Sequence, residues 1–149
     1  MKSTFNNLVI FTAVKSEFGS SINANEAITF DETETNIGNG MNPSKGIFTA
    51  PVSGTYSFSF TGNIWLAAQY VTEEKALLRV HRSDESDTID LYDQVAISGR
   101  TNVIPASYTW TMSLDQGDEI YLEFPNNELA ALPSMSSVAR FYGQLVMTL

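Results

Sequence analysis

The chain has 149 residues, no cysteine, one histidine and a formal net charge of -9. Residues 1–149 suit a single domain with a full hydrophobic core, and the lack of cysteine excludes disulfides, thiolate metal sites and a cysteine nucleophile. The acidic balance argues against nucleic acid and against anionic lipid surfaces, both of which are met with Lys and Arg, and no segment has the apolar length of a membrane span.

The first predicted element is the apolar stretch Leu8 to Val14. It is interrupted by Thr12 and runs into Lys15 with no good cleavage site, so it reads as a strand and not as a secretion signal. A second strand is predicted at Gly54-Thr-Tyr56-Ser-Phe58-Ser-Phe60, where large apolar and small polar residues alternate strictly. That alternation marks a strand with one buried face. Pro51 and Gly54 mark the turn that feeds it.

The segment Val71 to Arg82 is ambiguous by pattern alone. Read as a strand, it puts Ala76, Leu78 and Val80 on one face and Leu77, Arg79 and His81 on the other. Residues 106–114 alternate Ala106, Tyr108, Trp110, Met112 and Leu114 against Ser107, Thr109, Thr111 and Ser113. A shorter strand is predicted over 120–124. The last covers 138–149, with Ala139, Phe141, Gly143, Leu145, Met147 and Leu149 on one face. Loops are predicted at Ser16–Glu26, Asp31–Lys45, Ser83–Asp90, Ser98–Pro105 and Pro125–Ser137. Many short strands without helical periodicity indicate an all-β sandwich or barrel.

One spacing runs through several of these elements. Phe30, Asn36, Met41, Phe48, Gly54, Tyr56, Phe58 and Phe60 follow the pattern F-x5-N-x4-M-x6-F-x5-G-x-Y-x-F-x-F. This resembles the signature of the C1q globular domain family, within the superfamily that includes tumour necrosis factor. The departure is Met41, where the family usually has an aromatic or Leu; a long, adaptable Met can fill the same hole. Three further stretches resemble family strands in the right order. They are Val9 to Val14, the turn Leu114-Asp-Gln-Gly117-Asp118, and the closing Phe141-Tyr-Gly143-Gln-Leu145. The resemblance implies a ten-stranded antiparallel jelly-roll β-sandwich, resolves Val71–Arg82 as a strand, and assigns Phe30, Phe48, Tyr56, Phe58 and Phe60 to the scaffold core.

The resemblance also implies a homotrimer. The first and last predicted strands are apolar on both faces, and a single sandwich buries only one face of each. Phe11, Tyr121 and Tyr142 are the candidate interface residues. The implied function is a non-enzymatic, extracellular recognition module that binds carbohydrate, a microbial surface or a protein partner through its loops and needs no cofactor. The rival reading is a trimerisation head or a signalling ligand. The chain contains no Gly-X-Y repeat of a collagen stalk.

Candidate ligand contacts lie outside the core row. Trp65 shares its strand face with Ser57, Ser59, Thr61 and Asn63. It could stack on a sugar ring or anchor a protein, or pack at a subunit interface. Arg100, near Asn102 in a glycine-containing loop, could bind a carboxylate or sulfate, or be an ordinary exposed arginine. Catalytic groups are sparse. A triad would need His81, but no G-x-S-x-G elbow exists, and His81 reads as a solvated strand residue. Two acidic clusters, Asp31/Glu32/Glu34 and Asp84/Glu85/Asp87/Asp90, carry calcium-type ligands without an EF-hand spacing, and acidic loops of this kind are usually solvated. Some resembling domains hold an axial calcium at positions occupied here by Ile104 and Ser113. Neither has a carboxylate, so no such metal site is expected.

Overall fold

Thirteen strands run through the residues that the computed structural model describes, which are 8–16, 26–66, 70–71, 74–84, 88–94, 97–98, 102–124, 134–135 and 138–148. In chain order they are β1 (Ile10–Lys15), β2 (Glu32–Ile37), β3 (Met41–Asn42), β4 (Ile47–Thr49), β5 (Gly54–Leu66), β6 (Tyr70–Val71), β7 (Glu74–Arg82), β8 (Thr88–Gln94), β9 (Ile97–Ser98), β10 (Asn102–Leu114), β11 (Glu119–Glu123), β12 (Ser134–Met135) and β13 (Ala139–Thr148). Ten of them form two antiparallel sheets of five. The first sheet has the order β10-β5-β13-β1-β2 and the second β3-β4-β11-β7-β8. The short β12 adds to β5, and β6 pairs with β9. The ten-stranded antiparallel sandwich expected from the sequence is therefore the fold.

The alternation in β5 works as predicted. Tyr56, Phe58 and Phe60 are fully buried, and so are Phe11, Phe48 and Phe141. Their rings interlock across the sandwich. Phe11 stacks on Phe48 at 4.8 Å between centroids and meets Phe141 edge-on at 5.0 Å, while Phe58 stacks on Trp110 at 5.7 Å. Offset-stacked and edge-on pairs add about 0.5–1.5 kcal/mol each beyond the area they bury. Gly143 makes this layer possible. It pairs with Phe58 on one side and Phe11 on the other, and a side chain there would run into both rings.

The other signature positions have local reasons. The Asn36 side chain grips the backbone of Met41 twice: Nδ2 donates to the Met41 carbonyl at 2.8 Å, and Oδ1 accepts from the Met41 amide at 3.2 Å. The chain crosses between the sheets here, since β2 belongs to the first and β3 to the second. The amide thus ties the end of β2 to the start of β3 across the crossing. Met41, which replaces the usual aromatic, is buried opposite Phe48. Tyr56 donates its hydroxyl to the Val52 carbonyl at 2.6 Å.

Three expectations are corrected. Asp31–Lys45 is not one loop but contains β2 and β3. β2 was illegible because it is an edge strand of sequence ETETNI with no buried residue. Met147 does not share the core face of β13: a register shift between Leu145 and Met147 leaves it 63% exposed. The predicted loops at 83–90, 98–105 and 125–137 are likewise cut by the start of β8, by β10 and by β12.

Candidate recognition surfaces

The two outer faces of the sandwich carry different chemistry. On the first sheet, β5 and β10 pair without interruption from Gly54–Leu114 to Leu66–Asn102. Hydroxyl therefore faces hydroxyl at Thr55–Ser113, Ser57–Thr111, Ser59–Thr109 and Thr61–Ser107, and the Thr55 and Ser113 oxygens lie 3.5 Å apart. The Ser59 row continues through Tyr142, Thr12 and Thr35 across all five strands. Tyr142 donates its hydroxyl to Gln144 Oε1 at 2.7 Å. Arg140, at the same face's margin, pairs with Glu34 at 3.1 Å.

On the second sheet the outer face holds charge. Arg79 Nε binds Asp90 Oδ1 at 2.6 Å, and Arg79 Nη1 lies 3.9 Å from Glu123 Oε1. Glu123 is only 4% exposed, and His81 Nδ1 stands 3.6 Å from the same oxygen. Tyr121 stacks on the imidazole at 5.0 Å between centroids. The β7–β11 register sets this up by pairing Tyr121 with His81 and Glu123 with Arg79. His81 is thus not the solvated strand residue that the sequence suggests, its side chain being 18% exposed. The signal was missed because the contact is made across strands, and no spacing within β7 reports its register on β11.

The remaining candidates separate. Trp65 and Asn102 fall at one end of the β5–β10 ladder, where Trp65 pairs with Val103 and Asn102 with Leu66, one step apart. Trp65 is also the partner of Ser134. Arg100 lies outside the described residues. Tyr121 and Tyr142 stand on opposite outer faces. Phe11 is not on an outer face at all; it is buried in the core, between the outward Ile10 and Thr12. Its place as an interface residue is therefore withdrawn.

Several of the acidic side chains in these clusters are engaged elsewhere. Asp31 Oδ2 accepts from the Ser16 amide at 2.6 Å and hydroxyl at 2.8 Å, Glu34 serves Arg140, and Asp90 serves Arg79. Glu85 and Asp87 lie outside the described residues. Ile104 pairs with Ile64 and Ser113 with Thr55. Among the described residues no group of three or more His, Asp or Glu side chains could hold a metal ion, and no described helix is long and apolar enough to cross a membrane.

Among the residues whose exposure the structure describes, the apolar exposure is confined. All five large hydrophobic residues exposed among the described ones, Leu8, Ile37, Val138, Val146 and Met147, lie on or directly beside β1, β2 and β13. Those are adjacent strands of the first sheet.

Comparison with known proteins follows the same lines. The sequence profile of the C1q domain matches residues 10–146. Human complement C1q tumor necrosis factor-related protein 3 is 31% identical over 107 residues, which cover 72% of this chain and 40% of that protein; the mouse protein of the same name gives the same figures. The match thus spans well under half of these relatives. Among solved structures, the globular domain of zebrafish complement 1qA protein superposes with a TM-score of 0.65 at 18% identity, covering 95% of this chain and 99% of that one.

Proposed function

The chain belongs to the C1q domain family, and from that membership we propose that it is a non-enzymatic, extracellular recognition module. It works as a homotrimer assembled through the outer face of the first sheet. The observation that carries this reading is that, among the residues whose exposure is described, every exposed large hydrophobic one lies on β1, β2, β13 or their flanks. Leu8, Ile37, Val146 and Met147 gather at one end of these strands, and exposed apolar surface of this kind marks interaction sites. The hydroxyl rows beside it support the same reading, since neutral groups cost far less to remove from water than charges do. Tyr142 belongs to that interface. Tyr121, on the other sheet, serves it only if a neighbouring subunit reaches round to the second face.

Ligand contacts then fall at the Trp65–Asn102 end of the β5–β10 ladder, and Arg100 joins them as a candidate from its place in the sequence beside Asn102. The ligand class is a carbohydrate, a microbial surface or a protein partner. An alternative function, a trimerising head or signalling ligand, uses the same trimer with a protein receptor. Mass in solution tests the assembly: about three times the chain mass is expected, and a strict monomer overturns it. A glycan array and a whole-bacterium binding assay, each run with Trp65→Ala and Asn102→Ala, test the recognition reading. Binding that falls with either substitution supports it; no glycan or bacterial binding favours the protein-receptor alternative.

A further inference from the structure

The corner between β2 and β3 reads Gly38-Asn39-Gly40, and it holds the only Asn–Gly pair in the chain. Two separate constraints fix that pair. Asn39 has φ of 55° and is the single non-glycine residue with positive φ among those described. Only Gly, and less readily Asn or Asp, adopts that region at low cost. At position 40 the constraint is space: a side chain would begin 2.7 Å from both the Phe48 ring and the Thr49 carbonyl. Gly40 also accepts the Thr49 amide at 2.8 Å, which locks this close approach. The fold therefore demands Gly at 40 and restricts 39 to three residue types, of which the chain uses the one that can lose ammonia.

We propose that Asn39–Gly40 is a site of spontaneous deamidation, a chemical ageing mark imposed by the geometry of the corner. The Gly40 backbone nitrogen, having lost its proton to hydroxide, attacks the Asn39 side-chain carbonyl carbon. A carbon–nitrogen bond forms, ammonia leaves, and a five-membered succinimide results. Water then opens the ring at either carbonyl to give aspartate or isoaspartate. The balance is one water consumed and one ammonia released, with no oxidation. The absence of a Cβ on Gly40 leaves its nitrogen unshielded, and the Asn39 side chain is exposed to solvent.

The surroundings set what the mark does. Asn39 donates its amide to the Asn36 carbonyl at 3.4 Å, and Asn36 in turn holds Met41. Gly38 packs against Val9, and Ile37 is exposed beside it. An isoaspartate lengthens the backbone by one carbon inside this short bracket. Either product adds a negative charge next to Leu8, Val9 and Ile37.

The test is prolonged incubation of the folded protein at mildly alkaline pH and body temperature. Products are located by fragment-ion mass spectrometry, and isoaspartate is scored by isoaspartyl methyltransferase labelling. Asn39 is expected to convert roughly tenfold faster than Asn36 or Asn63, whose following residue is a branched Ile. The converted chain gains one negative charge on isoelectric focusing. Asn39→Gly, which suits the positive φ, is expected to melt at the wild-type temperature and to lose this charge gain. An Asn39 that stays intact in the folded protein while it converts in the urea-unfolded chain overturns the proposal. So does conversion that is faster at another asparagine.

Discussion

The two outer faces of this sandwich have been given opposite tasks by the same period-2 alternation. The first sheet turns hydroxyls outward: Ser59, Thr109, Tyr142, Thr12 and Thr35 make one row across five strands. The second turns out charges that are already matched, with Arg79 between Asp90 and Glu123 and His81 against Glu123 and Tyr121. A neutral hydroxyl face can be covered at modest cost, whereas a face of satisfied ions gains little from being covered. An outer face is thus not a uniform polar remainder of the fold. Its residues decide which side of the molecule is available to a partner.

The largest effect should ignore the distinction altogether. Phe58→Ala empties the centre of the aromatic layer beneath both faces and is expected to cost about 3–5 kcal/mol. Urea unfolding should show one cooperative transition at a lower midpoint. Two separate transitions would mean that the sheets are independent and would break the comparison at its root.

Next come the polar anchors. Glu123→Ala strips the second face of its buried carboxylate, and Asn36→Ala removes both hydrogen bonds at the crossing to Met41. Each is expected to cost about 1–3 kcal/mol, read as a fall in melting temperature. A neutral result for Glu123→Ala would show that the charged face is ornamental.

Smaller again is the contribution of Tyr56. Burial raises the pKa of its phenol above the ordinary 10.0. A raised folded value means that this stabilisation is complete below the unfolded pKa and is lost as pH climbs through the folded one. Stability should therefore fall on the alkaline side of pH 10. Tyr56→Phe, at a cost of about 0.5–1.5 kcal/mol, should lose that part of the alkaline decline. An unchanged alkaline profile in the variant counts against it.

The smallest effect on the subunit is the sharpest test of the faces. Ser59→Lys and Thr88→Lys place the same charge on the first and second outer faces. Each should change subunit stability by no more than about 0.5 kcal/mol. Only Ser59→Lys should lower the mass in solution from trimer to monomer. If Thr88→Lys does so too, or if neither does, the assignment of tasks to the faces is wrong.

What the sequence revealed follows from where the constraints sit. The buried row of Tyr56, Phe58 and Phe60 and the glycine at 143 were legible because core alternation is written along a single strand. β2 was not, since its residues are held by pairing with β1 and not by burial. The His81–Glu123 contact was equally hidden, because it depends on a cross-strand register that brings residues 42 positions apart into diagonal contact. The turning of Met147 depends on a bulge, which leaves the composition of the strand unchanged. Sequence reports what a strand buries. It is nearly silent about which neighbour the strand meets.

The margins of the first sheet bear on how large any assembly can grow. β2 and β10 are its two edges, and a bare edge invites another strand to dock and extend the sheet without limit. Here one margin carries Glu32 and Glu34 and is offset by the register shift at Thr12. The other contains Pro105, which has no amide proton to offer. Growth sideways is disfavoured at both ends. The proposed association through the face instead can close on itself as a finite particle where an open edge would have made a fibre.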